Sequence, residues 1–132
     1  HEHLAALEGH TKWDEHLATF EIYKWVLCLT LYGNKLLSGG GNDDRTIRVW
    51  DADTHEHLAT MEGHTGGVMC LTLYGNKLFS GSWDKTIRVW NADTHEHLAT
   101  LEGHTSFVTC LIVAGGKLYS GSYDSTIRIW TL

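Results

Sequence analysis

There is no proline in this chain, so its turns fall to glycine, asparagine and aspartate. Positive charge is scarce as well. Lys and Arg number 10 against 16 Asp and Glu, which leaves −6 with the histidines neutral. Phosphate binding needs a basic surface, so nucleic acid is excluded as a partner class. No window stays apolar over the roughly 18 residues a membrane span requires, and no signal peptide shows at the N-terminus; no membrane partner is expected. Cysteine is limited to Cys28, Cys70 and Cys110, at matching places in a repeat. Three such thiols suit neither a disulfide framework nor a zinc cluster. They are expected in strand cores and point to a reducing compartment, the cytoplasm. Sustained helical periodicity is missing too.

What is present is ordinary globular composition, 42% hydrophobic and 20% charged. It is arranged in one repeated unit. MEGHTGGVMCLTLYGNKLFSGSWDKTIRVW (Met61–Trp90) returns as LEGHTSFVTCLIVAGGKLYSGSYDSTIRIW (Leu101–Trp130), 40 residues later. A fixed period of that size marks one supersecondary unit used again and again. Three units are present, with first strands near 26–31, 68–73 and 108–113. In the second, the apolar run Val68–Leu73 precedes a turn at Gly75–Lys77. Leu78–Ser82 is a second strand, Asp84-Lys85 a tight turn, and Thr86–Trp90 a third strand. Asn91–Thr94 turns the chain into a more polar fourth strand, His95–Leu101. Short strands parted by Gly, Asn and Asp predict an antiparallel all-β fold. One four-stranded sheet cannot bury both its faces alone, so the units must stack, by radial repetition around a channel.

Gly63-His64, Ser80-Gly81-Ser82, Asp84 and Ile87–Trp90 resemble the WD40 repeat of β-propellers. Gly103-His104, Ser120-Gly121-Ser122, Asp124 and Trp130 repeat the match, as do Gly9-His10, Ser38-Gly39, Asp44 and Trp50-Asp51. The Asp that follows Trp in the family occurs only at Asp51, with Asn91 and Thr131 elsewhere. The resemblance implies one propeller segment over 1–132. Its blades are expected at 1–7 plus 26–50 with an insertion at 12–25, at 55–90 and at 95–130. It also implies a structural role for the polar residues. His64, Ser80, Asp84 and Trp90 should form a hydrogen-bonded chain within a blade. His104, Ser120, Asp124 and Trp130, and His10, Ser38, Asp44 and Trp50, should repeat it. Catalysis is not expected of these Ser, His and Asp residues, nor any cofactor.

The first unit breaks the pattern twice. Lys12–Trp25 adds residues before the first strand, and Gly39–Asp43 holds two extra residues before Asp44. The resemblance puts both loops on the rim that family members use for partners. Trp13, Phe20, Tyr23 and Trp25 then become candidate anchors, joined there by Trp83, Phe107 and Tyr123, because interfaces favour aromatic anchors. Lys12–Trp25 also reads as a scar of repeat duplication and deletion, since Trp13–Glu21 is a shortened copy of Trp90–Glu102. Binding loop and scar both stay open.

His1-Glu2-His3, His55-Glu56-His57 and His95-Glu96-His97 would place imidazole pairs on one strand face, which could begin a metal site. Three blades are fewer than the four to eight of most propellers. The chain opens on a fourth strand and closes on a third, so head-to-tail association of two or three copies could close a ring. The N-terminal strand would complete a blade of a neighbouring copy, with His1–Leu7 or, in a shifted register that puts Ile22 where His10 should stand, Glu15–Glu21 as that fourth strand. Three functions follow: a non-catalytic protein-interaction scaffold that assembles this way and holds another protein or peptide; a structural, amplified or engineered repeat whose only activity is assembly; or a His-based metal-binding protein.

Overall fold

The structure, a computed structural model, describes residues 25–132. The expectations that fall on His1–Leu7, His10, Trp13, Phe20 and Tyr23 lie outside these residues. Eleven strands form, and no helix occurs among the described residues. Strands β1 (Val26–Tyr32), β2 (Lys35–Gly40), β3 (Ile47–Asp51) and β4 (His57–Met61) make the first antiparallel sheet in chain order. Strands β5 (Val68–Tyr74), β6 (Lys77–Ser82), β7 (Ile87–Asn91) and β8 (His97–Leu101) make the second. The third holds β9 (Val108–Ala114), β10 (Lys117–Ser122) and β11 (Ile127–Thr131).

The sheets are offset from the sequence repeats at 55–90 and 95–130. The polar strand that opens each repeat pairs with the third strand before it: Ile47 lies opposite Met61, and Ile87 opposite Leu101. Sheet boundaries therefore fall at Glu62–Gly67 and Glu102–Phe107. The cause is local. Asn91 Oδ1 accepts the N–H groups of Asp93 and Thr94 at 2.8 and 2.9 Å, closing a tight turn that sends β8 straight back along β7. Asp51 makes the same turn with Asp53 and Thr54.

That turn corrects the placing of the histidine pairs. His55 and His95 take φ of +66° and +68° inside it, so the strands start only at His57 and His97. The pair does not lie along one strand face. Each second imidazole packs against a tryptophan instead, His57 on Trp50 at 5.0 Å and His97 on Trp90 at 5.4 Å between ring centroids. Among the described residues no group of three or more His, Cys, Asp or Glu is placed to hold a metal ion.

A β-bulge near the start of each first strand decides which way its side chains point. In β5 it falls between Val68 and Cys70. Period-two alternation would put those two residues on one face, and the extra residue puts them on opposite faces. Val68 packs back on the first sheet together with Leu71 and Leu73. Cys70 packs forward on the third, among Phe79, Ile87, Val89 and Val108. Each sheet thus has a leading face and a trailing face, and among the described residues the core is two slabs between consecutive sheets. Cys28 and Cys70 sit inside these slabs. Cys110 departs from the strand-core expectation and is exposed, because no sheet among the described residues follows the third.

Candidate interaction rim

The rim is built from loops that buried polar residues hold in place. Ser80 lies in β6 with no exposed surface. Its Oγ accepts the Trp90 indole N–H at 2.8 Å and donates to His64 Nε2 at 2.7 Å. His64 Nδ1 donates to Asp84 Oδ2 at 2.7 Å, and the Thr65 backbone N–H reaches the same oxygen at 3.0 Å. Asp84 Oδ1 accepts the Thr86 N–H at 2.9 Å. Burial opposes ionisation of Asp84, but the hydrogen bonds from His64 and Thr86 outweigh it. They hold the carboxyl well below the usual carboxylate range. The chain ties the loop before β5 to the turn after β6.

The third sheet repeats it. Trp130 Nε1 to Ser120 Oγ is 2.9 Å, and His104 spans Ser120 and Asp124 at 2.8 Å each. The Thr126 hydroxyl, the Thr105 N–H and His104 all donate to Asp124, whose carboxyl is held below the usual range against a partial desolvation cost. In the first sheet, Trp50 Nε1 donates to Ser38 Oγ at 3.0 Å and Thr46 Oγ1 to Asp44 Oδ1 at 2.9 Å. Arg48 Nε stands 3.5 Å from Asp44 Oδ2, and His10 is outside the described residues.

Ser80, His64 and Asp84 have the connectivity of a hydrolytic triad. The serine, however, is sealed from solvent and already accepts the Trp90 N–H, so a substrate carbonyl has no approach to Oγ. A nucleophile needs that access. The arrangement pairs every buried polar group it uses, as buried polar groups require.

The loops so anchored carry aromatic rings. Trp83 N–H bonds Gly67 O at 2.9 Å, and Tyr123 N–H bonds Phe107 O at 3.0 Å. Phe107 then stacks on Trp83 of the preceding sheet at 5.5 Å and meets Tyr123 of its own at 5.7 Å. The three form one row across the boundary between sheets two and three. Phe107 and Tyr123 are exposed, Tyr123 by 68%, and Trp83 is half-buried. Trp25 is exposed at the same rim, with its O accepting Gly41 N–H at 2.8 Å. No ring contact joins it to the row among the described residues.

The longer turn of the first unit can now be aligned. Gly40 N–H bonds Thr46 O as Ser82 N–H bonds Thr86 O, so Gly41 stands where Trp83 and Tyr123 do. Asn42 and Asp43 are the added residues. Asn42 Oδ1 accepts the Gly67 N–H at 3.2 Å and ties the first sheet's turn to the second sheet's loop. The added length was visible in the sequence, but this contact was not.

Comparison with known proteins agrees with this geometry. A family model described as "WD domain, G-beta repeat" matches residues 14–51, 55–91 and 95–131. The chain is 42% identical over 62 residues to F-box/WD repeat-containing protein 7 of Drosophila melanogaster, a match covering 47% of this chain and 4% of that protein. It is 40% identical over 64 residues to F-box/WD repeat-containing protein sel-10 of Caenorhabditis elegans, covering 48% and 9%. The solved structure of U3-55K superposes with a TM-score of 0.79 at 26% identity, over 86% of this chain and 38% of that one. The matched stretches therefore span less than a tenth of these curated relatives and well under half of that solved chain.

Proposed function

The chain belongs to the WD40-repeat family, and from that premise we propose that it is a non-catalytic scaffold that grips a protein or peptide partner on the Trp83–Phe107–Tyr123 rim. The observation that supports this reading most is the row itself. The near-identical bricks differ at the rim, and between the second and third sheets the differing residues Trp83, Phe107 and Tyr123 are large and stacked, with Phe107 and Tyr123 facing solvent. Aromatic anchors that lose little conformational freedom on binding are what interface hot spots use. Trp25 extends the same rim, and Trp13, Phe20 and Tyr23 are proposed as further anchors on the segment before it.

The scaffold closes head to tail with further copies, two or three to a ring, and the N-terminal His1–Leu7 strand serves as the fourth strand of a neighbour's third sheet. The unpaired outer edge of β11 among the described residues supports this, as does the likeness of HEHLAAL to the strands that pair with β3 and β7. Free thiols suit a reducing location such as the cytoplasm. Repeat uniformity supports a second reading, an amplified or engineered module whose only activity is assembly.

Panning a displayed random-peptide library against the chain separates the two readings. Binders that lose affinity for a Trp83→Ser/Phe107→Ser/Tyr123→Ser variant support the scaffold. A library that yields no rim-dependent binder supports the pure assembly module.

A further inference from the structure

Leading and trailing faces meet twice inside this chain, and each meeting uses the same fitting. A Cβ built on Gly81 would lie 2.7 Å from Val108 Cγ1 and 2.6 Å from Cys70 Sγ. One on Gly39 would lie 2.8 Å from Val68 Cγ1 and would also collide with Cys28 Sγ. Cys28 Sγ further contacts Val68 O at 3.4 Å. Val68 and Val108 therefore each drop into a socket made by a second-strand glycine and a first-strand cysteine of the sheet before. Val68 and Val108 are completely buried as a result.

One socket and one valine are left over among the described residues. Among the described residues Gly121 has only Cys110 Sγ near its Cβ position, at 2.6 Å, with no valine above it. Around it Ile112, Ile127 and Ile129 are exposed by 62%, 73% and 59%. The residues matching Ile127, namely Ile47 and Ile87, are completely buried. At the other end of the stack Val26 is 44% exposed, with Leu29 and Leu31 exposed beside it. Their counterparts Leu71, Leu73, Leu111 and Val113 all pack on a preceding sheet. Both open faces are apolar, and each is the complement of the other by the rule that the two internal junctions follow. Exposed apolar patches of this kind mark association sites.

We propose that the trailing face of the third sheet receives the leading face of the first sheet of a second copy, with Val26 of that copy seated in the Gly121–Cys110 socket. The proposal rests on the head-to-tail reading above and adds the surface, the socket and its occupant. The contact is heterologous: it joins two different faces, so each copy keeps one of each free for the next. Continuity with the two internal junctions selects a second copy as the occupant, since its first sheet already carries the matching valine and leucines. Formation of the contact shelters the Cys110 thiol, as the internal junctions shelter Cys28 and Cys70.

Complementary blocking variants test this. Cys110→Ala/Gly121→Val fills the socket of a single chain without the intrachain clash on Sγ. Leu29→Asp spoils the opposite face at an exposed site. Light scattering should find the unaltered chain at a multiple of 14.8 kDa, and each variant alone at 14.8 kDa with an unchanged β-type circular dichroism spectrum. An equimolar mixture of the two variants should recover a two-copy species, because one intact face remains on each. Iodoacetamide labelling of Cys110 in the unaltered chain should slow at least about tenfold between dilute and concentrated protein. Variants that remain assembled, or a mixture that does not recover pairs, would overturn the socket while leaving head-to-tail assembly standing. An unaltered chain that is monomeric at all concentrations would overturn both. Should the double variant fail to fold, Leu29→Asp mixed with Ile127→Asp gives the same readout.

Discussion

Val108 closes over Gly81 at a distance that leaves no room for even a methyl group on the glycine. At Gly39 and Gly81 the next sheet's valine comes this close because the second strand has no side chain there. Gly81→Ala should therefore force the junction apart and cost about 1–3 kcal/mol, the usual range for overpacking a core. Urea unfolding of the two proteins measures it. An unchanged midpoint would show that the sheets are not packed this closely.

The buried polar chain should behave as a structural tie. Asp84→Ala leaves His64 and the Thr65 N–H without their acceptor, which should destabilise by about 1–3 kcal/mol. Thermal unfolding of the variant gives the value directly.

The same carboxylate sets a pH dependence. Its folded-state pKa lies below the ordinary 3.8 of the unfolded chain, so the native state binds fewer protons there. The stabilisation is complete above about pH 4 and fades as pH falls through the acid range toward the folded value. Asp84→Asn should narrow the stability gap between pH 7 and about pH 3, measured by chemical denaturation. A variant with the same acid sensitivity as the unaltered chain would remove Asp84 from the explanation.

Thiol chemistry should separate the three equivalent cysteines. Burial pushes the Cys28 and Cys70 thiols up to about 12, against weaker backbone hydrogen bonds that lower them. At pH 8 almost no thiolate exists at either. Dilute native protein treated briefly with iodoacetamide should gain one adduct, on Cys110, as read by peptide mass spectrometry. Denatured protein should gain three.

Much of this fold could be read from spacing. The 40-residue period and the turn residues gave antiparallel strands, and the Ser, His, Asp and Trp positions that the resemblance singled out come together in the second and third units. Trp83, Phe107 and Tyr123 could be named as rim candidates because they vary where the repeats otherwise agree. That Phe107 would stack on the ring of the preceding sheet was not legible, since it depends on how two sheets are rotated against each other. The histidine pairs failed for a local reason: a left-handed residue at His55 and His95 is invisible to an alternation rule. The socket was hidden by the bulge, which sends Val68 and Cys70 to opposite faces although alternation places them together. Its signal was present in the recurring valine, cysteine and glycine, but the meaning of that recurrence needs the register.

The most direct measurement is an alanine scan of the rim against one peptide selected on the unaltered chain, with affinities from fluorescence anisotropy. Trp83→Ala and Tyr123→Ala should each weaken binding at least about tenfold, a loss of roughly 1.4 kcal/mol. Lys117→Ala, on the opposite rim, should leave it unchanged. Equal affinities across all four proteins would contradict the assignment of the aromatic row as the partner-binding surface.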